Sequence, residues 1–149
     1  MDNKQIEDIL NKGLLALKKD VLENLYKKDR VASGKTANSI KVSTSISGNI
    51  IKGLLLGSSV LEQLEYGRGK TKNGGATRTW EKELKAWMRI RGIEESAFYP
   101  IWRKINRDGY KGTKGLVSDP VSKFADNISK ALKVEIIKDF KRNVINGNQ

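Results

Sequence analysis

The chain has no cysteine and no histidine, only two prolines among 149 residues, and no apolar run approaching the 18 or so residues that a membrane-crossing helix needs. Without cysteine there is no disulfide, no thiolate nucleophile and no zinc cluster built on thiolates. Without histidine the usual general base, the imidazole proton shuttle and the commonest metal ligand disappear together. Most familiar hydrolytic mechanisms lose a part. Met1-Asp2-Asn3-Lys4-Gln5 carries no apolar stretch behind a basic start, so the expectation is a protein made and used in the cytosol, with no membrane partner. Negative charge is also scarce, 17 acids against 29 Lys and Arg, for a net charge of +12.

That positive charge is unevenly placed. Between Gly67 and Gly115 lie 13 of the 29 basic residues and five acids, so this segment carries +8 while each flank carries +2. A local excess of this kind reads as a surface facing something anionic. Its candidate contact residues are Arg68, Lys70, Lys72, Arg78, Lys85, Arg89, Arg91, Arg103, Lys104, Arg107, Lys111 and Lys114. Phosphates and the acidic rim of a neighbouring protein are equally open as the counterpart. The aromatics Trp80, Trp87, Phe98, Tyr99, Trp102 and Tyr110 share the segment. Stacking on bases is one use for them. Trp80, Trp87, Phe98 and Trp102 fall on helical apolar faces, which favours core packing, whereas Tyr99 and Tyr110 are uncommitted.

With 38% hydrophobic residues the chain can bury one core, so a single domain over 1–149 is expected, with a basic loop-helix insertion at about 67–115. No fixed-period repeat is present. From Gln5 to Lys28 apolar residues recur every three or four positions, a helical stripe interrupted by Gly13, which costs about 1 kcal/mol relative to Ala unless another element packs closely there. Thr36 to Ile40 suits one helical turn. Lys41 to Ser47 alternates with period two, Gly48-Asn49 suits a hairpin turn, and Ile50 to Leu56 is the partner strand, nearly fully buried or bulged at Gly53. Val60 to Leu64 is a helical turn or a third strand, and Gly67 to Thr77 reads as a mobile exposed loop.

A helix capped by Thr79 should bury Trp80, Leu84, Trp87 and Met88 and stop at Gly92. A second, about Glu94 to Asp108, should place Phe98, Ile101, Trp102 and Ile105 opposite Arg103, Lys104 and Arg107. Pro100 requires that it start late or kink. Asp108 to Gly115 is a second glycine-punctuated basic loop. Asp119-Pro120 then opens a long helix to about Val144, striped by Phe124, Ile128, Leu132, Ile136, Ile137, Phe140 and Val144.

Chemistry-bearing motifs are sparse. Ser33-Gly34-Lys35-Thr36 imitates the end of a phosphate-binding loop, but Asp29 occupies the position of its first glycine and a helix precedes it where a strand is required. Glu62, Glu65, Glu81 and Glu83 are the only candidates for paired-carboxylate or magnesium chemistry, and Glu81 and Glu83 lie on different faces of one helix. No catalytic, cofactor-binding or metal-binding residue is assigned, and no enzymatic activity is expected.

The order of elements, together with Arg30-Val-Ala-Ser-Gly-Lys-Thr-Ala-Asn-Ser-Ile40 and Leu64-Glu-Tyr-Gly-Arg68, resembles the tail-completion and neck proteins of tailed bacteriophages. The matching positions are Val31, Gly34, Ser39 and Ile40 in the first segment and Leu64, Glu65, Tyr66 and Gly67 in the second. Ile101 to Gly115 is similar to the region that precedes the last helix in many members. Ala32 and Ser33 stand where the family has Asp-Thr, and Val117-Ser118-Asp119-Pro120 where it has a Pro-Phe segment. The resemblance implies an α+β fold, with a small antiparallel sheet packed by long N- and C-terminal helices and an inserted helical pair. It also implies a structural virion protein, a ring of identical subunits at the portal-tail junction. Portal or adaptor and tail proteins would be its neighbours, and packaged DNA a possible contact. The alternative from another class is a stand-alone basic nucleic-acid-binding protein whose contact face is Lys85, Arg89, Arg91, Arg103, Lys104 and Arg107.

Overall fold

The computed structural model describes the backbone of residues 2–31, 34–48, 50–71 and 78–146, and their side chains except those of 78–80, 139, 140 and 142–146. The architecture is mixed helix and sheet, with long first and last helices, two small antiparallel sheets and a helical pair inserted between them. Helix α1 (Asn3–Lys27) starts two residues earlier than its apolar stripe requires. Asp2 accepts a hydrogen bond from the Gln5 N–H and the Gln5 side chain returns one to the Asp2 N–H, a complete capping box.

Helix α2 (Lys35–Asn38) is the single expected turn, and strands β1 (Lys41–Ser47) and β2 (Ile50–Leu56) form the expected hairpin. Pairing is antiparallel and continuous from Lys41 opposite Leu56 to Ser47 opposite Ile50. Gly53 therefore pairs in register with Thr44 and marks no bulge. Its bare backbone lets Leu10 and Leu14 of α1 lie close against the strand. Nor is β2 nearly fully buried. Only its inward residues Ile51 and Leu55 are half-covered, while Ile50, Leu54 and Leu56 are 58%, 45% and 52% exposed. The hairpin has one helix beneath it and nothing above it among the described residues.

Helix α3 (Val60–Tyr66) resolves the ambiguous apolar segment as helix. Immediately after it, β3 (Gly67–Arg68) pairs antiparallel with β4 (Tyr110–Lys111). The start of the expected mobile loop is thus held in place by a partner strand more than 40 positions away, and the Thr71 N–H donates to the Asn106 carbonyl at 2.9 Å. The rest of that loop, residues 72–77, lies outside the described residues. Gly67 is required at this crossing: its φ is +86°, and a Cβ would collide with the Tyr110 carbonyl oxygen and the Gly112 nitrogen.

Helices α4 (Arg78–Ile90) and α5 (Phe98–Asp108) form the inserted pair, joined through a 3₁₀ turn at Glu95–Ala97. Of the two expectations for Pro100, the late start holds. Pro100 is the third residue of α5, where no intrahelical N–H bond is lost. The last helix, α6 (Ser118–Asn146), begins one residue ahead of the expected Asp119 cap.

The core is divided. The larger cluster unites Leu14, Leu17, Val21 and Leu25 of α1 with Ile40, Leu61 and Leu116, and Val42, Leu55 and Phe124 pack on it. Helix α6 runs antiparallel along α1. Asn24 Nδ2 donates to the carbonyls of Gly115 and Leu116, Lys123 pairs with Asp20 at 2.8 Å, and Phe124 and Ile128 lie against Gly13. A Cβ on Gly13 would come 2.5 Å from Ile128 Cδ1 and 2.9 Å from Phe124 Cε2, so this helix-interior glycine exists for close helix approach. The expected stripe of α6 is realised only in its first half. Phe124, Ile128 and Leu132 are half-buried, whereas Ile136 and Ile137 are mostly exposed because the helix there runs past the core. The side chains of Phe140 and Val144 lie outside the described residues. The second, smaller cluster is confined to the insertion: Leu84, Met88 and Phe98, with Ile93, Ile101, Trp102 and Ile105 around them.

Candidate functional site: the basic arm and the cleft beneath it

Where the two regions meet, Glu65 is the organising residue. It ends α3, is 3% exposed, and is the only charged side chain buried among the described residues. Its Oε1 accepts from the Gly115 N–H at 2.9 Å and from Ser118 Oγ at 2.5 Å, and its Oε2 from the Val117 N–H at 2.8 Å. The carboxylate therefore caps α6, satisfying orphan donors and opposing the positive end of the helix dipole. Burial pushes the carboxyl up, but the hydrogen bonds from Ser118, Val117, Gly115 and Leu116 outweigh it and hold Glu65 below the usual carboxylate range. Nothing here resembles an acid–base pair, because its acceptor positions serve structure.

Several neighbours of Glu65 in the segments 30–40 and 64–68 also have a structural place. Val31 packs on the core and Ile40 is 1% exposed within it. Gly34 precedes α2 with φ of +79°. Ser39 Oγ donates to the Thr36 carbonyl and accepts from the Ser58 N–H, tying α2 to the end of the hairpin. Tyr66 stands out in solvent.

The arm, α4 and α5, leans on this body through polar contacts. Residues Glu83, Trp87 and Arg91 follow at four-residue intervals and so line one face of α4. Lys35 Nζ meets Glu83 Oε1 at 2.6 Å, and Arg91 binds the Asp29 carboxylate and also donates to the Asp29 carbonyl at 2.7 Å. The hydrogen bond from Arg91, reinforced by its charge, holds the Asp29 carboxyl below the usual range. Between these two ion pairs lies a cleft of about 480 Å³, walled by Val31, Ala37, Val60 and Leu64 on the body and Trp87 on the arm. Both family-like segments reach it. Tyr110 stands at its edge, its hydroxyl 3.3 Å from Gln63 Oε1, and burial pushes that phenol up.

The basic residues picked out by the charge count are distributed around this arrangement. Lys85 and Arg89 are offset by two positions from the Glu83–Trp87–Arg91 row, about 200° around the helix, and so face away from the cleft. Lys85 is bound to Glu81 at 2.9 Å and sits 4.9 Å over the Phe98 ring. Arg107 makes a two-pronged contact with Asp108, and Arg91 is committed to Asp29. Arg103 and Lys104 are exposed on the outer side of α5, and Arg89 on α4, none with a carboxylate partner among the described residues. Arg68 and Lys111 lie on the paired strands β3 and β4, with Arg68 also bonded to Thr71. Lys70 and Lys114 are exposed, and Lys28 Nζ donates to the Lys114 carbonyl. Lys72 lies outside the described residues. Arg78 opens α4, but its side chain lies outside them, as does that of Trp80.

Of the aromatics expected in a core, Phe98 and Trp102 are there, while Trp87 is turned to the cleft. Asp29, Lys35 and Glu83, weighed in the sequence only for phosphate-loop or carboxylate chemistry, are the residues that position the arm. The repeat of Glu83, Trp87 and Arg91 was the available signal.

Two further surfaces stand apart from the cleft. Leu15 and Tyr26 stand exposed on one side of α1 with the half-buried Leu22 between them, a shallow groove bordered by Lys18, Lys19, Glu23 and Lys27. They are offset by two positions from Gly13, Asp20 and Asn24, which meet α6, and so occupy the opposite side of the helix. The other is the outer row of β2. No group of three or more His, Cys, Asp or Glu side chains able to hold a metal occurs among the described residues, and no helix there is long and apolar enough to cross a membrane. No family model, curated protein or solved structure matches the chain.

Proposed function

We propose that this chain is a structural subunit of the neck of a tailed bacteriophage virion, a tail-completion protein that assembles as a ring at the portal-tail junction. One observation supports the reading: the subunit exposes large apolar side chains on two separate faces, the outer row of β2 (Ile50, Leu54, Leu56) and one side of α1 (Leu15, Tyr26). Exposed large apolar side chains grouped on one face are what a site of association presents. Two different faces are what a head-to-tail contact needs, since one subunit's first face must meet the next subunit's second.

In the ring the exposed far end of α6, with Val134, Ile136 and Ile137, is left for a portal, adaptor or tail protein, and the outer cations of α5 for packaged DNA or an acidic neighbour. The test is native mass spectrometry and negative-stain imaging of the purified chain. Closed annuli of a fixed subunit number support the reading, and a single-chain mass at all concentrations rejects it.

The exposed Arg89, Arg103 and Lys104 keep the second reading, a stand-alone nucleic-acid binder, in play. Tight, saturable DNA binding by the monomer at physiological salt would favour it. Contacts to phosphate must in either case weaken as salt rises.

A further inference from the structure

Trp87 belongs to neither hydrophobic cluster, although it lies in the middle of a well-formed helix. It is held over the cleft by an ion pair one turn before it and another one turn after it. Opposite it, Val60 is exposed and Leu64 half-buried, so apolar surface faces apolar surface across a gap instead of closing into a core. The gap is of ligand-binding size.

Its polar lining is also unfinished. Ser58 Oγ, sealed behind the lining, has no hydrogen-bond partner among the described residues. The two acids of the lining, Asp29 and Glu83, are engaged by Arg91 and Lys35. Arg30 adds a further positive charge, and its guanidinium makes no hydrogen bond among the described residues. The distance along α4 from Glu83 to Arg91 is about 12 Å, eight residues at 1.5 Å each. An extended chain covers that in about four residues.

We propose that this cleft is a docking slot for a short extended peptide segment of a partner protein. A bulky aliphatic side chain of that segment lodges between Val60, Leu64 and Trp87, and a flanking carboxylate meets Arg30. A phosphate-rich ligand fits less well, because the wall of Val31, Ala37, Val60, Leu64 and Trp87 offers it no polar partner. The slot is a property of one subunit and does not depend on the ring reading.

The test uses the full chain with ¹⁵N-labelled tryptophan, whose indole signals are assigned by single Trp→Phe variants. The probes are acetyl-Glu-Leu-Glu-Gly-amide, its Gln-Leu-Gln counterpart and its Glu-Ser-Glu counterpart. The expected result is a saturable shift of the Trp87 indole signal with the first probe while Trp80 and Trp102 stay put. Binding should be about tenfold weaker for each of the other two, one contact's worth in each case. Arg30→Glu should weaken the first probe by about tenfold as well, and Val60→Trp, which fills the slot, should abolish the shift. An unmoved Trp87 signal at millimolar probe, equal affinity for all three probes, or unchanged affinity in Arg30→Glu would overturn the proposal. The mass of the same sample reports on ring formation separately, so the two readings fail independently.

Discussion

The body and the arm of this protein are held together by opposite means. In the body, α1 and α6 approach closely enough to require Gly13. The one buried charge, Glu65, is fully used in capping α6, and seven buried side chains form a common core. In the arm, three buried side chains suffice to pair α4 with α5, and the attachment to the body runs through two exposed ion pairs, a short strand pair and the Thr71–Asn106 contact. The body is therefore a frame, and the arm an element whose position is set by weak, solvent-exposed contacts. Exposed ion pairs add little stability, but two of them at fixed spacing define an orientation.

The sharpest way to break this contrast is to attack the frame. Glu65→Ala leaves the donors of Gly115, Val117 and Ser118 without their acceptor, and should cost about 3 kcal/mol, read as a drop in the denaturant midpoint. The pH dependence has a definite sign. Because the folded carboxyl lies below its unfolded value, its contribution is complete above the unfolded pKa of about 4.3 and is lost as pH falls through the lower folded value. Wild type should thus lose stability below about pH 4.5 more steeply than Glu65→Gln.

Next in size, Gly13→Leu should cost about 2 kcal/mol by forcing Phe124 and Ile128 away from α1, with the loss again seen in global unfolding. The arm should then show itself as a separate unit. In native-state hydrogen exchange the amides of α4 and α5 should open at least about tenfold more readily than those facing each other in α1 and α6. Smallest of all, Arg91→Ala should leave the global midpoint unchanged while accelerating exchange in α4, since it removes a tether and no core contact. A global loss in that variant would mean that arm and body form one cooperative unit.

The period of apolar residues made α1, the hairpin, the helical character of the insertion and the start of α6 readable in advance, because each buries one face along its own length. The failures have a shared cause. Ile50, Leu54, Leu56, Ile136 and Ile137 read as core, yet each is about half exposed. A strand or helix covered by another molecule carries the same pattern as one covered by its own core. The pairing of β3 with β4 and the hydrogen bonds of Glu65 to the start of α6 join residues 42 to 53 positions apart, and no local pattern encodes such a contact. The charge count located the basic segment but not its partners. Arg91 and Lys85 are spent on Asp29 and Glu81, and two sides of α4 carry what composition merges into one patch. Trp87 was misplaced for a related reason: an aromatic at helical spacing looks the same whether it closes a core or overhangs a cleft.

The claim that two unlike faces of one subunit meet in the assembled form can be tested by complementation. Leu54→Glu disables the hairpin face, Leu15→Glu disables the α1 groove, and each variant alone should be monomeric by sedimentation velocity. Mixed one to one, they retain one intact pair of faces between them, and the account predicts a discrete heterodimer that grows no further. If the mixture stays monomeric, or if only one of the two substitutions disrupts assembly of the pure protein, the faces do not meet and the head-to-tail ring is contradicted.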